Sequence, residues 1–263
     1  MGLDWMVRNK PRDGRGAEFE QGQAVSAQGG EVDKETWDQI SISPYETLGC
    51  PRIGVDEVAT RHFLDVIVPS HREAAEKRPA GDSYREHWSQ PDDVLLDDAW
   101  GEYASDLMEY DLSTVTGIVA GPVSFRGKVV GWSDLLPEGL RNDAYRDMEP
   151  DEMVEYAYHI ERAAMTEAER RLVGDGSYLA LLDAETARGW VDATLEAMRE
   201  RAVAGGFEHN DWSGWLRKGA DGKMESFKTT DLEDLAWQLK YVLDAANWLR
   251  FWADKGHSLY SWF

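Results

Sequence analysis

The chain has 263 residues, 42% of them apolar, with 50 acidic against 28 basic side chains and a formal net charge of −22. That apolar content suffices for a sizeable core. The charge excludes broad nucleic-acid binding, which needs a basic surface to displace counterions, and opposes attraction to anionic membranes.

Residues 11–35 are polar and Gly-rich without periodicity and read as a loop or partly disordered segment. Ile40 and Ile42 alternate ahead of Ser43-Pro44 and suggest a short strand leading into an ordered loop. A helix is expected over 56–67, with Ala59, Phe63 and Val66 on one face and Pro69 ending it. Ser70 with Glu73 then signals a capping box for a short helix to about Lys77. Pro91, Asp92 and Asp93 suit the first turn of a helix running to about Glu109, with Leu96, Trp100, Tyr103 and Leu107 on its stripe. Residues 113–131 are rich in Thr, Val, Ile and Phe between glycines and read as two or three short strands.

Pro150, Asp151 and Glu152 begin a helix whose apolar stripe is Met153, Ala157, Ile160 and Ala164. Asp183 begins another, with Val191, Leu195, Met198 and Ala202 inward and Gly205-Gly206 as its stop. Residues 212–228, with Asp221-Gly222 between partly apolar flanks, read as a hairpin. The last helix spans about Asp231 to Lys255. Leu235, Leu239, Val242, Ala246 and Leu249 form one stripe, and Trp237, Tyr241, Trp248 and Trp252 form a second on the opposite side. A surface helix needs one apolar face, so this helix is either sandwiched in the core or shared between the core and a partner.

Candidate chemistry is sparse. Glu155 and His159 stand four apart on one helix face, close to Arg162, where a carboxylate can tune an imidazole base or share a metal. His209 and Asp211 lie in a Gly- and Trp-rich loop suited to a site. His257 follows the glycine that ends the Trp helix, where the helix dipole favours it. Cys50 is the single cysteine, which excludes a disulfide framework and a thiolate zinc site. Arg52 is the charge that would activate it. No P-loop, zincin motif or nucleophile elbow occurs. No cofactor is predicted from a motif, although the His and carboxylate sets leave room for a divalent metal.

Two further features are compositional. The basic residues comprise 19 Arg and 9 Lys, and about half of the acidic residues are Asp. Self-repulsion of such a charge strains a compact state, and at molar salt the screening length falls to about 3 Å. The balance resembles that of haloarchaeal cytoplasmic proteins, with an acidic protein of an actinobacterium or its phage as the alternative. The first residues lack an apolar signal core, and no apolar run reaches transmembrane length, so a cytoplasmic location is expected.

Met1-Gly2-Leu3-Asp4-Trp5, Ser43-Pro44-Tyr45-Glu46-Thr47-Leu48-Gly49, Phe125-Arg126-Gly127 and the Phe251–His257 helix end resemble a loose group of uncharacterised haloarchaeal and bacterial proteins. The resemblance carries no catalytic residue. It implies a single unit rather than a fusion.

The expected fold is therefore a predominantly helical α+β protein in a single domain, 1–263, with small antiparallel β elements. The favoured function is binding or assembly through Trp237, Tyr241, Trp248, Trp252 and His257, with a protein partner or a second copy. The alternative is a hydrolase or metal-dependent enzyme drawing on Glu155, His159, His209 and Asp211, in which at least three candidate groups should converge.

Overall fold

The computed structural model describes residues 4–102, 127, 129, 134–174, 183–210, 214–219 and 222–262. The fold is predominantly helical, with antiparallel sheets of only two or three strands. Among the described residues no helix is long and apolar enough to cross a membrane. The chain divides into two compact units. One is Arg8–Ala120, and the other joins Met1–Val7 to Gly121–Phe263. The strands expected at 113–131 fall almost wholly outside the described residues.

In the Arg8–Ala120 unit, Lys10–Pro11 (β2) pairs antiparallel with Ser41–Ile42 (β3). Between them lie two helices, Gly16–Ala27 (α1) and Lys34–Ile40 (α2). The expectation of a loop over 11–35 is thus corrected by α1. This helix has no side-chain N-cap and buries only Phe19 and Gly22, so it leaves almost no periodic trace. Phe19 stacks on Trp37 at 5.3 Å. A Cβ on Gly22 would come within 2.7 Å of the Trp37 ring, so only glycine allows this approach. Asp33 caps α2 through the Thr36 N–H, and Ser43 caps the short Pro44–Thr47 helix (α3) through the Glu46 N–H.

Glu57–His62 (α4) does not end before Pro69. It widens into a π-turn, Phe63–Ile67, in which the Val68 N–H bonds to the Phe63 carbonyl, and continues as Val68–Glu76 (α5). Proline lacks the N–H for an α-helical bond and crowds the carbonyl four residues back. The wider turn accommodates it and places Pro69 at a helix start, so Ser70 caps nothing. Ser83–Trp88 (α6) follows, capped by Asp82. Asp92–Asp98 (α7) ends well before the expected Glu109, because Gly101 turns the chain with φ +77°. Trp100 is exposed, while Ile53, Ala59, Phe63, Val68 and Leu95 form the local core.

The other unit is built on three long helices, Pro150–Gly174 (α9), Ala184–Ala204 (α10) and Asp231–Asp254 (α11), preceded by the short Glu138–Asp143 (α8). α11 packs against both α9 and α10. Its Thr230–Glu233 capping box fixes the start. Asp4–Val7 (β1) pairs antiparallel with Leu259–Trp262 (β7) in the register Trp5↔Ser261. That pairing carries Trp5 into the core, where its indole N–H donates to the Ala144 carbonyl at 2.9 Å and its ring stacks on Trp248. Arg250 grips Glu161 with two bonds of 2.6 and 2.9 Å, tying α11 to α9. Arg188 reaches Asp244 and the Leu243 carbonyl, tying α10 to α11.

Glu208–Asn210 (β4), Gly214–Lys218 (β5) and Met224–Ser226 (β6) form a three-stranded antiparallel arm between α10 and α11. The expected hairpin over 212–228 corresponds to β5 and β6, and β4 adds a strand to it. Phe207, His209, Trp215, Arg217, Glu225 and Phe227 share one face, as the Phe207–Phe227 and His209–Trp215 ring contacts and the Arg217–Glu225 ion pair show. Arg201 of α10 lies 4.3 Å over the Phe227 ring and holds Glu233 at 2.5 Å, rooting the arm.

Candidate groove along helix α9

The buried face of α9 carries Met153, Tyr156, Ala157, Ile160 and Ala164. Helical periodicity then sends Glu155, His159, Arg162 and Thr166, at steps of four, three and four, onto one outward stripe. Opposite this stripe runs the segment Asp134–Leu140, whose Leu135 and Leu136 are buried. Between them lies an open groove of about 570 Å³, with Leu135, Leu136 and Leu140 on one wall and His159, Arg162 and Glu167 on the other. A smaller recess of about 160 Å³ extends past Leu140 and His159 toward Tyr156 and Arg146.

Hydrogen bonds fix both walls. The Tyr156 hydroxyl donates to the Leu140 carbonyl at 2.7 Å, and Arg171 donates to the Asp134 carbonyl at 3.1 Å. Burial, reinforced by the Asp143 charge, pushes the Tyr156 phenol well above its usual range. Glu167 accepts two bonds of 2.7 Å from Arg170 and one of 2.9 Å from Arg171. Arg170 foremost, and Arg171 with it, overcome partial burial and hold this carboxyl down at about 2. Arg146 lies between Asp143 and Glu152. Arg162 makes no ion pair among the described residues, and its carbonyl merely accepts the Thr166 hydroxyl. The groove thus offers an apolar wall, an imidazole and one uncommitted guanidinium.

Glu155 and His159 meet on the groove stripe, at 3.6 Å, both largely solvated. The other candidates lie elsewhere. His209 sits on β4 with its ring 5.2 Å from Trp215, exposed on the arm. Asp211 lies outside the described residues. His257 is fully buried, edge-on to Trp252 at 5.3 Å. Cys50 is buried in the Arg8–Ala120 unit, and burial pushes its thiol up. Arg52 is engaged by the Gly101 carbonyl and Asp38 rather than waiting on that thiol. The expected convergence of three groups is therefore not found among the described residues. Nor do they include a group of three His, Cys, Asp or Glu side chains able to hold a metal.

The Trp-rich helix also needs correction as a binding surface. Trp248 and Trp252 are fully buried, as is His257, so none of the three faces a partner. Trp237 and Tyr241 stack at 5.8 Å and are half-buried. Burial, with Asp244 nearby, raises the Tyr241 phenol. Sequence reasoning missed the groove's apolar wall. Leu135, Leu136 and Leu140 precede α9 by many residues and meet it only through tertiary packing. Comparison with protein-family models, characterised proteins and solved structures finds no match.

Proposed function

We propose that the chain is a binding protein whose ligand site is the groove along α9, suited to a small amphipathic anion. The observation that carries this reading is Arg162. The neighbouring Arg146, Arg170 and Arg171 each face a carboxylate, whereas Arg162 stands on the groove wall without one among the described residues, opposite Leu135, Leu136 and Leu140. A guanidinium is weakly hydrated and presents a planar fork of donors that matches a carboxylate, and an apolar wall holds the remainder of such a ligand. A catalytic reading has less support, since Glu155 and His159 bring an acid beside a base with no described nucleophile or third group to orient them.

Titration with anilinonaphthalene sulfonate, an apolar anion whose fluorescence rises on binding, tests the proposal. Saturable binding is expected, with at least a tenfold loss in Arg162→Glu, which corresponds to about 1.4 kcal/mol. Equal affinity in wild type and Arg162→Glu defeats it.

We further propose that the protein works in a cytoplasm of high salt, a reading supported by its −22 charge and 9 lysines. Screening should relieve the self-repulsion of its carboxylates. Its melting temperature is expected to climb as potassium chloride rises from dilute to molar, and a flat or falling curve counts against this setting.

A further inference from the structure

A second surface pair, independent of the α9 groove, concerns assembly. The arm is unusual in charge. Residues 207–228 hold four basic residues (Arg217, Lys218, Lys223, Lys228) and four acidic ones (Glu208, Asp211, Asp221, Glu225), so the remaining chain carries the whole −22. Three of the nine lysines fall within eleven of these positions. The aromatic face of β4–β6 is braced by Arg201 and Arg217, so the opposite face holds Glu208, Leu216, Lys218, Met224 and Ser226. Met224 is 61% exposed, and Lys218 and Lys228 make no ion pair among the described residues. The free edge points the same way. Phe227 N–H donates to the Trp215 carbonyl and Gly219 N–H to the Lys223 carbonyl. The alternating antiparallel ladder therefore turns the backbone groups of Met224 and Ser226 away from β5.

The Arg8–Ala120 unit carries the complementary features. A groove of about 400 Å³ runs along α4 and the π-turn, lined by Glu57, Val58, Arg61, His62, Asp65 and Val66. Val58 is 66% and Val66 48% exposed, an apolar pair that an isolated chain gains nothing by showing to water. Asp65 has no ion pair among the described residues, whereas Glu57 is paired with Arg61 at 2.5 Å. His62 Nε2 is buried without a hydrogen-bond partner among them, and a buried polar atom left unsatisfied is costly. An occupant that brings an apolar side chain, a cation and a hydrogen-bonding group would complete this groove.

We propose that the occupant is the β-arm of a second copy of this chain. Met224 and Leu216 meet Val58 and Val66. Lys218 and Lys228 face Asp65 and compete with Arg61 for Glu57, and the Ser226 hydroxyl or the free edge satisfies His62. Arm and groove are different surfaces, so the contact builds rings or open chains, or closes as a two-fold dimer when two copies exchange arms reciprocally.

The test is sedimentation of the full chain in dilute buffer over a concentration series, with circular dichroism to verify folding of each variant. The weight-average mass of wild type is expected to rise above the 29.8 kDa of one chain. The double variants Lys218→Glu/Lys228→Glu and Glu57→Lys/Asp65→Lys should each stay at one chain, because each sets like charges against each other. Mixed together, the two should co-assemble, since every arm then meets a groove of opposite sign. A wild type that holds at 29.8 kDa throughout overturns the proposal. So does a charge-reversed arm that associates as wild type does, or a mixture of folded variants that fails to associate.

Discussion

α11 and the three-stranded arm adjoin in sequence and share a unit, yet they meet water in opposite ways. Half of the helix's 24 residues are buried, with α9 and α10 packed against it and Trp5 stacked on Trp248. All three residues of β6 are exposed, and the arm is held at its root by Arg201 and Arg217 rather than by an apolar core. A helix acquires its stability from the elements that enclose it, whereas a small isolated sheet is marginal in water without something against its face. Aromatic richness alone does not separate the two regions, since both hold tryptophan. What separates them is whether another part of the chain covers it.

The sharpest way to break this contrast is to truncate matched apolar groups in both regions. Trp248→Ala is expected to cost about 3–5 kcal/mol of unfolding free energy, as large aromatic truncations in cores do. Met224→Ala should stay within about 0.5 kcal/mol of wild type, as for an exposed site. Denaturant melts of the two variants decide the matter, and similar losses would erase the distinction. Next in size is Arg201→Ala. Glu233 is 7% exposed. Burial works against its ionisation, while Arg201 and Thr230 more than offset that and hold its carboxyl below the usual range. Removing Arg201 leaves a buried carboxylate without its main partner, a loss of about 1–3 kcal/mol. Amide exchange should then accelerate across 208–218 before it does within α11. Uniform acceleration would mean that Arg201 does not root the arm.

Glu167 gives the smallest effect. Its folded carboxyl, held at about 2, lies below the ordinary unfolded value, so its stabilisation is complete above pH 4.5 and is lost as pH falls toward 2. Glu167→Gln should lower stability at neutral pH and flatten the acid limb of the stability curve over that window. An acid limb identical to wild type would show that the Arg170 and Arg171 pairs contribute nothing measurable.

The long helices were largely legible in the sequence, and the surfaces were not. Asp183 caps α10 and the Thr230–Glu233 box starts α11, because capping chemistry is local. The two stripes of α11 correctly imply a helix enclosed on more than one side. They could not tell Trp237 from Trp248. Eleven residues apart, these two side chains differ by only ~20° around the axis. One is covered because Trp5 arrives on β1 from the far end of the sequence. The α9 stripe of Glu155, His159 and Arg162 was likewise readable as a helix face. The apolar wall opposite it was not, because Leu135, Leu136 and Leu140 reach it through tertiary packing. α1 escaped because Phe19 and Gly22 are too few to make a period, and the π-turn because a proline ordinarily marks a stop.

The pairing of β1 with β7 has a consequence in time. Synthesis runs from β1 toward β7, so β1 must wait for a partner strand made long after it. Until α11 has formed, Trp5 lacks the ring it stacks on, and until 259–262 have appeared it lacks the backbone partner that holds it there. The α9–α10–α11 layer can assemble as its helices emerge, but its seal comes only with β7, after α11. The Trp5 indole, and the Trp248 ring that awaits it, stay open to chaperones and to stray association until residues 259–262 have been made.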